Sequence, residues 1–267
     1  ISGVGSIRAV RGTDAKHYYC GRAAESGVIA NLLAMEGSTG PLDVFEDRNG
    51  IISILNDKAF EHSHINNIGK EFSLLTPGVD IKKYPVCYAS HAAADGIKSI
   101  IESKNIPIEN IDKIICTVPP IIASNLTFHK PRTAKEAQFS LEFSIALMLK
   151  YRDIKLEHLS SEYILDPDIR NLINKVSMNV SKLPKRIKPT RKICPEWSNV
   201  ELFTKNGESH EKFVGAPLGS SIDPLPRNML YKKFNSCVEF SNIKFETKSM
   251  YEKLINIEKL KNCQELL

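Results

Sequence analysis

Apolar positions recur with a helical period at both ends of the chain and with mixed periods in between. From Arg22 to Met35, Ala23, Ala24, Gly27, Val28, Leu32 and Met35 occupy neighbouring faces, and Gly37 supplies a stop, so a helix is expected there. Its many small residues favour close helix-on-helix packing. With no partner helix, that apolar face is expected to be exposed. The character turns to mixed α and β near Gly78. Ala93, Ala94, Ile97, Ile100 and Ile101 predict a helix over about 90–104, followed by a β-rich run, Lys113–Val118, that Pro119-Pro120 ends.

Further on, Thr133 and Glu136 form a capping-box pattern, predicting a helix through Ala137, Leu141, Ile145 and Met148. Asp166-Pro167 opens another, with Ile169, Leu172, Ile173 and Val176 as its stripe. Asn206-Gly207, between Val200–Thr204 and His210–Val214, signals a hairpin with a type I′ turn. Ser249 and Glu252 predict the cap of a last helix carrying Leu254, Ile257 and Leu260. There is no internal repeat.

At 267 residues with 42% hydrophobic content, the chain has enough material for one large domain or two small ones. No apolar run nears the roughly 20 residues needed to span a bilayer, so no membrane association is expected. The six cysteines (20, 87, 116, 194, 237 and 263) include no C-x-x-C pair, which reads as reduced thiols in a cytoplasmic protein. Net charge is only +5, yet Lys182, Lys185, Arg186, Lys188, Arg191 and Lys192 crowd one stretch broken by Pro184 and Pro189. That stretch has no aromatic residue for base stacking. It reads as a solvated, proline-stiffened connector, and nucleic acid is not an expected partner. His62-Ser63-His64 lacks a third ligand at suitable spacing, so no metal is expected.

The densest chemistry lies in Lys82-Lys83-Tyr84-Pro85-Val86-Cys87, followed by His91 and Asp95. Pro85 disfavours helix at Tyr84, placing Lys82 and Lys83 on a loop. His91 and Asp95 fall one turn apart near a helix N-terminus. Cations beside a helix N-terminus attract anions, so the run points to a carboxylate or phosphate ligand.

This run resembles the K-x-Y-P-x-C-x3-H-x3-D signature of the MmgE/PrpD family. Lys16 to Gly27 (KHYYCGRAAESG) is similar to that family's K-x-L-H-x-G-x-A-A-x-x-G, and Pro131 to Ala146 (PRTAKEAQFSLEFSIA) to its P-x-T-x3-A-x-F-S-L-x-Y-x-x-A. Pro224-Leu225 with Lys233-Phe234 resembles its late P-L-S…K-F element. The resemblance implies an α+β architecture: a helical domain, here 1–78 and 216–267, interrupted by an α+β lid at 79–215. It also implies a helical region upstream of Lys16. The chain, opening on Ile1, is therefore expected to be the C-terminal portion of a longer protein, inactive alone and completed by an N-terminal segment. A homodimer is the expected assembly.

The resemblance further implies a lyase or isomerase without cofactor or metal, acting on a small di- or tricarboxylate, as 2-methylcitrate dehydratase or iminodisuccinate epimerase does. Lys16, Lys82 and His91 are the implied catalytic residues, with Lys83, Tyr84, Cys87 and Arg22 as substrate-binding residues. His91 has a second reading, as a core histidine that fixes the loop. Cys87 stands where decarboxylases of the family carry histidine, and Ala123 near where they carry a lid tyrosine, which argues against decarboxylation. Tyr19 departs from the family's histidine. An alternative function follows: a non-catalytic fragment or pseudoenzyme that keeps the fold for assembly.

Overall fold

The computed structural model of the chain describes residues 9–55 and 62–266. By proximity it divides into two units, Asp14–Val79 (with Ile1–Val10) and Asp80–Leu267 (with Arg11–Thr13).

The first unit contains the long helix α1 (Ala15–Met35) and the short α2 (Ile51–Leu55). Helix α1 begins earlier than the apolar pattern indicates, which places Lys16 in its first turn, and Gly37 ends it at φ +86. It has no buried residue, and Val28, Leu32 and Met35 are all exposed. A side chain built on Gly21 or Gly27 would meet nothing within 4 Å. The face suited to close packing is thus open at both of these glycines.

The second unit is α+β, around a four-stranded sheet in the order β2-β1-β3-β4. Its elements run α3 (His91–Lys104), β1 (Ile111–Val118), α4 (Pro120–Asn125), α5 (Ala134–Ala137), α6 (Leu141–Tyr151), α7 (Ser161–Ile164), α8 (Pro167–Ile173), β2 (Val176–Val180), β3 (Ser198–Thr204), β4 (Ser209–Val214), α9 (Arg227–Ser241) and α10 (Thr247–Leu254). Strands β1 and β2 are parallel, and the intervening helices supply the crossover that such a pair requires. The β1–β3 and β3–β4 pairs are antiparallel.

Helix α3 packs on β3 and β4, while α6 packs against α3, α8 and β2. The core between them holds Ile97, Ile101, Ile114, Phe143, Leu147 and Leu202, all essentially inaccessible. Gly96 sets how near α3 lies to the sheet, because an added Cβ would sit 2.9 Å from Val200 Cγ2. Gly96→Val is therefore expected to cost about 1–3 kcal/mol by overpacking, read as a lower urea midpoint. An unchanged midpoint would mean that the helix has room to move.

Several boundaries differ from the sequence expectation. The helix expected from Thr133 through Met148 is two helices. Thr133 Oγ1 caps α5, accepting from the Glu136 amide at 3.2 Å, but Glu136 accepts from the Arg132 amide rather than from Thr133. The chain then turns at Gln138–Ser140, where Ser140 is extended and accepts from the Phe143 amide at 3.1 Å, capping α6 separately. Asp166 caps α8 as expected, but Val176 belongs to strand β2, so the helical stripe ends at Ile173.

The Asn206-Gly207 hairpin is present with a different turn. Only Gly207 has positive φ, Gly207 N–H donates to Thr204 O, and Thr204 N–H donates to Glu208 O, giving a three-residue loop instead of type I′. Glu246, not Ser249, caps the last helix, which stops at Leu254, short of Ile257 and Leu260. Within the basic segment, Arg186 is clasped to β4 and β3 through Glu211 and Asn199. Among the described residues, no helix is long and apolar enough to cross a membrane.

Candidate active site

Residues 82–87 form the predicted loop, leading through one short 3-10 turn into α3. Its centre is the Asp95 carboxylate. Lys83 Nζ lies 2.8 Å from Asp95 Oδ1, and Tyr84 Oη donates to the same oxygen at 2.8 Å. The other oxygen, Oδ2, accepts from the Leu218 amide at 3.0 Å. Lys83 also stands over the Tyr84 ring, 4.7 Å from its centroid. Tyr84 is 1% exposed, and burial, reinforced by the Asp95 charge, pushes its hydroxyl far above the usual range.

The start of the loop is held as well. Ile81 N–H donates to Gly219 O at 2.7 Å, and an added Cβ on Gly219 would lie 2.3 Å from Ile81 O. With φ at +102, Gly219 occupies a conformation and an approach that other residues tolerate poorly. Lys82, between the Ile81 and Lys83 anchors, is exposed.

His91 is completely buried between the rings of Tyr84 and Tyr88, each centroid 5.1 Å away. Neither ring nitrogen makes a hydrogen bond of good geometry among the described residues. Burial drives its pKa down to about 4, against the opposing pull of Asp95 and with a further push from Lys82. At neutral pH it is an uncharged ring.

Cys87 is a half-buried free thiol whose amide donates to Gln138 O at 2.8 Å. The Ser90 hydroxyl donates to Cys87 O at 2.9 Å, tightening the turn into α3. The structure thus brings Lys82, Lys83, Tyr84, Cys87 and His91 into one region. Lys16 and Arg22 belong to the first unit, on α1. Lys16 is half-buried, and Arg22 is exposed with Glu25 at 2.5 Å.

Two features escaped the sequence reading. Asp95 was visible as a motif member, but no local pattern signals that it gathers donors from Lys83, Tyr84 and a backbone amide 123 positions away. Tyr88 faces a second acidic neighbourhood, with burial first and then Asp80, Cys194 and Glu196 raising its hydroxyl pKa. Glu196 is raised by burial and by Asp80. Among the described residues, no group of three or more His, Cys, Asp or Glu side chains is arranged to hold a metal. The side chains of His62 and His64 fall outside the described part of the chain.

From Tyr84 to Gly219 this geometry lies within residues 84–252, the stretch that matches the MmgE/PrpD C-terminal domain, with Ile81, Lys82 and Lys83 immediately before it. The chain belongs to the MmgE/PrpD family. It is similar to cis-aconitate decarboxylase of Homo sapiens, with 24% identity over 273 aligned residues, and to cis-aconitate decarboxylase of Mus musculus, with 22%. Both alignments take in the whole of this chain but only 55% and 54% of the relatives. The chain thus spans about half the length of the curated relatives it matches. Membership gives the α+β second unit its family context.

Proposed function

We propose that this MmgE/PrpD chain is the C-terminal part of a lyase or isomerase that uses its own side chains, without cofactor, on a small di- or tricarboxylate. The observation that carries the reading is the exposed Lys82, held on a loop anchored on both sides, beside the N-terminus of α3. Dehydration and epimerisation next to a carboxylate both move a proton at a carbon whose neighbouring carboxylate gains negative charge. Fixed cations stabilise that charge most where it develops. Lys82 is assigned this role, and the family resemblance gives Lys16 the same kind of role. Lys83 has its charge matched by Asp95 and serves the loop. His91 is assigned the packing role of its two readings, since a fully buried ring touches no substrate.

Cys87 and Ala123 favour a dehydratase-like or epimerase-like reaction over the decarboxylation named for the two relatives. In this proposal the lid comprises about 79–215, the helical domain is completed by an N-terminal segment, and the assembly is a homodimer. The exposed apolar face of α1 supports that completion. It equally favours the second reading, a non-catalytic assembly subunit, in which α1 is only a docking element.

The test is incubation of citrate, methylcitrate, iminodisuccinate and cis-aconitate with the chain alone and with a complementing helical segment, followed by NMR of the products. Dehydration or epimerisation by the completed protein supports the enzyme. No binding and no turnover in either form supports the assembly subunit. Decarboxylation of cis-aconitate overturns the argument from Cys87 and Ala123.

A further inference from the structure

The carboxylate of Asp95 carries an inference beyond the assignment of cations. We infer that Asp95 is a positioning residue: it fixes the Lys82 loop in the shape that meets an anionic substrate, without touching that substrate itself. The inference rests on the carboxylate-binding reading proposed above.

Three donors from two separate segments converge on this one side chain. Lys83 and Tyr84 come from the loop, and the Leu218 amide comes from the turn that also receives Ile81 through Gly219. Asp95 itself projects from α3, one turn after His91, and α3 is locked to the sheet at Gly96. A rigid helix thus holds the loop just after Lys82, while the Ile81–Gly219 bond holds it just before. The Lys83 and Asp95 side chains are each only 15% exposed, so the pair is shielded from screening by solvent. Lys82, by contrast, faces outward on a backbone fixed at both neighbours. Pre-ordering of this kind removes part of the entropy that a flexible loop loses when it binds a ligand.

The sign of one substitution separates positioning from simple electrostatics. Asp95→Asn keeps the shape and removes a negative charge close to the anion site. If Asp95 acts only through its charge, loss of that charge strengthens anion binding. If it acts by holding the loop, the freed Lys83 and Tyr84 let the loop move, and binding weakens despite the more positive potential.

The experiment is titration of citrate into the 267-residue chain and its Asp95→Asn variant by calorimetry, below the melting point of both, with amide exchange of Leu218 followed by NMR. The expected result is about tenfold weaker binding by the variant, with faster Leu218 exchange. A purely global loss of stability lowers the melting point but leaves the affinity of the folded fraction unchanged. Equal or tighter binding by Asp95→Asn overturns the inference, as does unchanged Leu218 exchange. If Asp95→Asn fails to fold, Tyr84→Phe decides by the same comparison, because it removes one donor to Asp95 and no charge. Absence of saturable citrate binding by the unsubstituted chain, both alone and with the complementing helical segment, is a different result. It overturns the reading of the site, and this inference with it.

Discussion

Replacing Lys82 with alanine in the completed enzyme is expected to lower kcat/KM about a hundredfold or more, the scale of removing one oriented group that stabilises developing charge. The argument begins with the loop. Ile81 is bonded to Gly219, and Lys83 and Tyr84 to Asp95, so the backbone of Lys82 is fixed before substrate arrives. A cation on a fixed backbone needs no rearrangement as negative charge builds on the substrate carboxylate. That separates it from an ordinary surface lysine. Lys82 is exposed, so its removal costs little packing, and the melting point is expected to stay within a degree or two of the parent. Steady-state kinetics on the best substrate of the panel, beside a melting curve, checks both halves. Unchanged kinetics would remove Lys82 from the mechanism, and a large fall in melting point would recast it as a structural residue.

Stability is expected to fall as pH drops from about 6.5 towards 4, with His91 responsible for about 3 kcal/mol of the loss. The folded protein holds His91 neutral until pH is near 4, whereas the unfolded chain protonates it near its ordinary value of 6.5. Between those values the unfolded state binds the extra proton and is favoured. The contribution is therefore complete above pH 6.5 and progressively lost below it. His91→Phe keeps the ring between Tyr84 and Tyr88 and removes the titration. The parent should lose about 3 kcal/mol of urea stability relative to His91→Phe between pH 7.5 and 4, with the change falling between about 6.5 and 4. Carboxylates held low in the fold, such as Asp166 and Glu211, also lose stabilisation in acid, but they do so equally in both proteins and cancel in the difference. Parallel curves would show that His91 is protonated or solvated in the folded state.

Sequence periodicity served best where one element makes its own contacts. Ala93, Ala94, Ile97, Ile100 and Ile101 mark the buried face of α3, and all of them are buried. The β1 run and the Asn206-Gly207 hairpin were equally plain, because alternation and turn chemistry are local. The break at Gln138–Ser140 was hidden, because Leu141 to Leu149 is buried on every side and its apolar residues continue the phase of the preceding turn. Val176 fits a helical stripe because it lies four positions after Leu172, yet pairing with Ile114 on β1 claims it for the sheet. At the site, the motif displayed Lys82, His91 and Asp95 together. It could not display Leu218 or Gly219, which reach the loop only through tertiary folding. The local pattern also left the two lysines equivalent. Only the packed structure separates an outward Lys82 from a Lys83 paired with Asp95.

The bond between Ile81 and Gly219 has a topological consequence. With the Ser221 amide donating to Asp80 at 2.7 Å, it brings the start and the finish of a stretch of about 140 residues to one point. Chain segments whose ends adjoin can be spliced into a loop of another protein without stretching either partner, and they tolerate relocation of their termini. The span from Asp80 to Ser221 therefore has adjoining ends, and circular permutation that joins them is expected to leave the sheet and its packed helices intact.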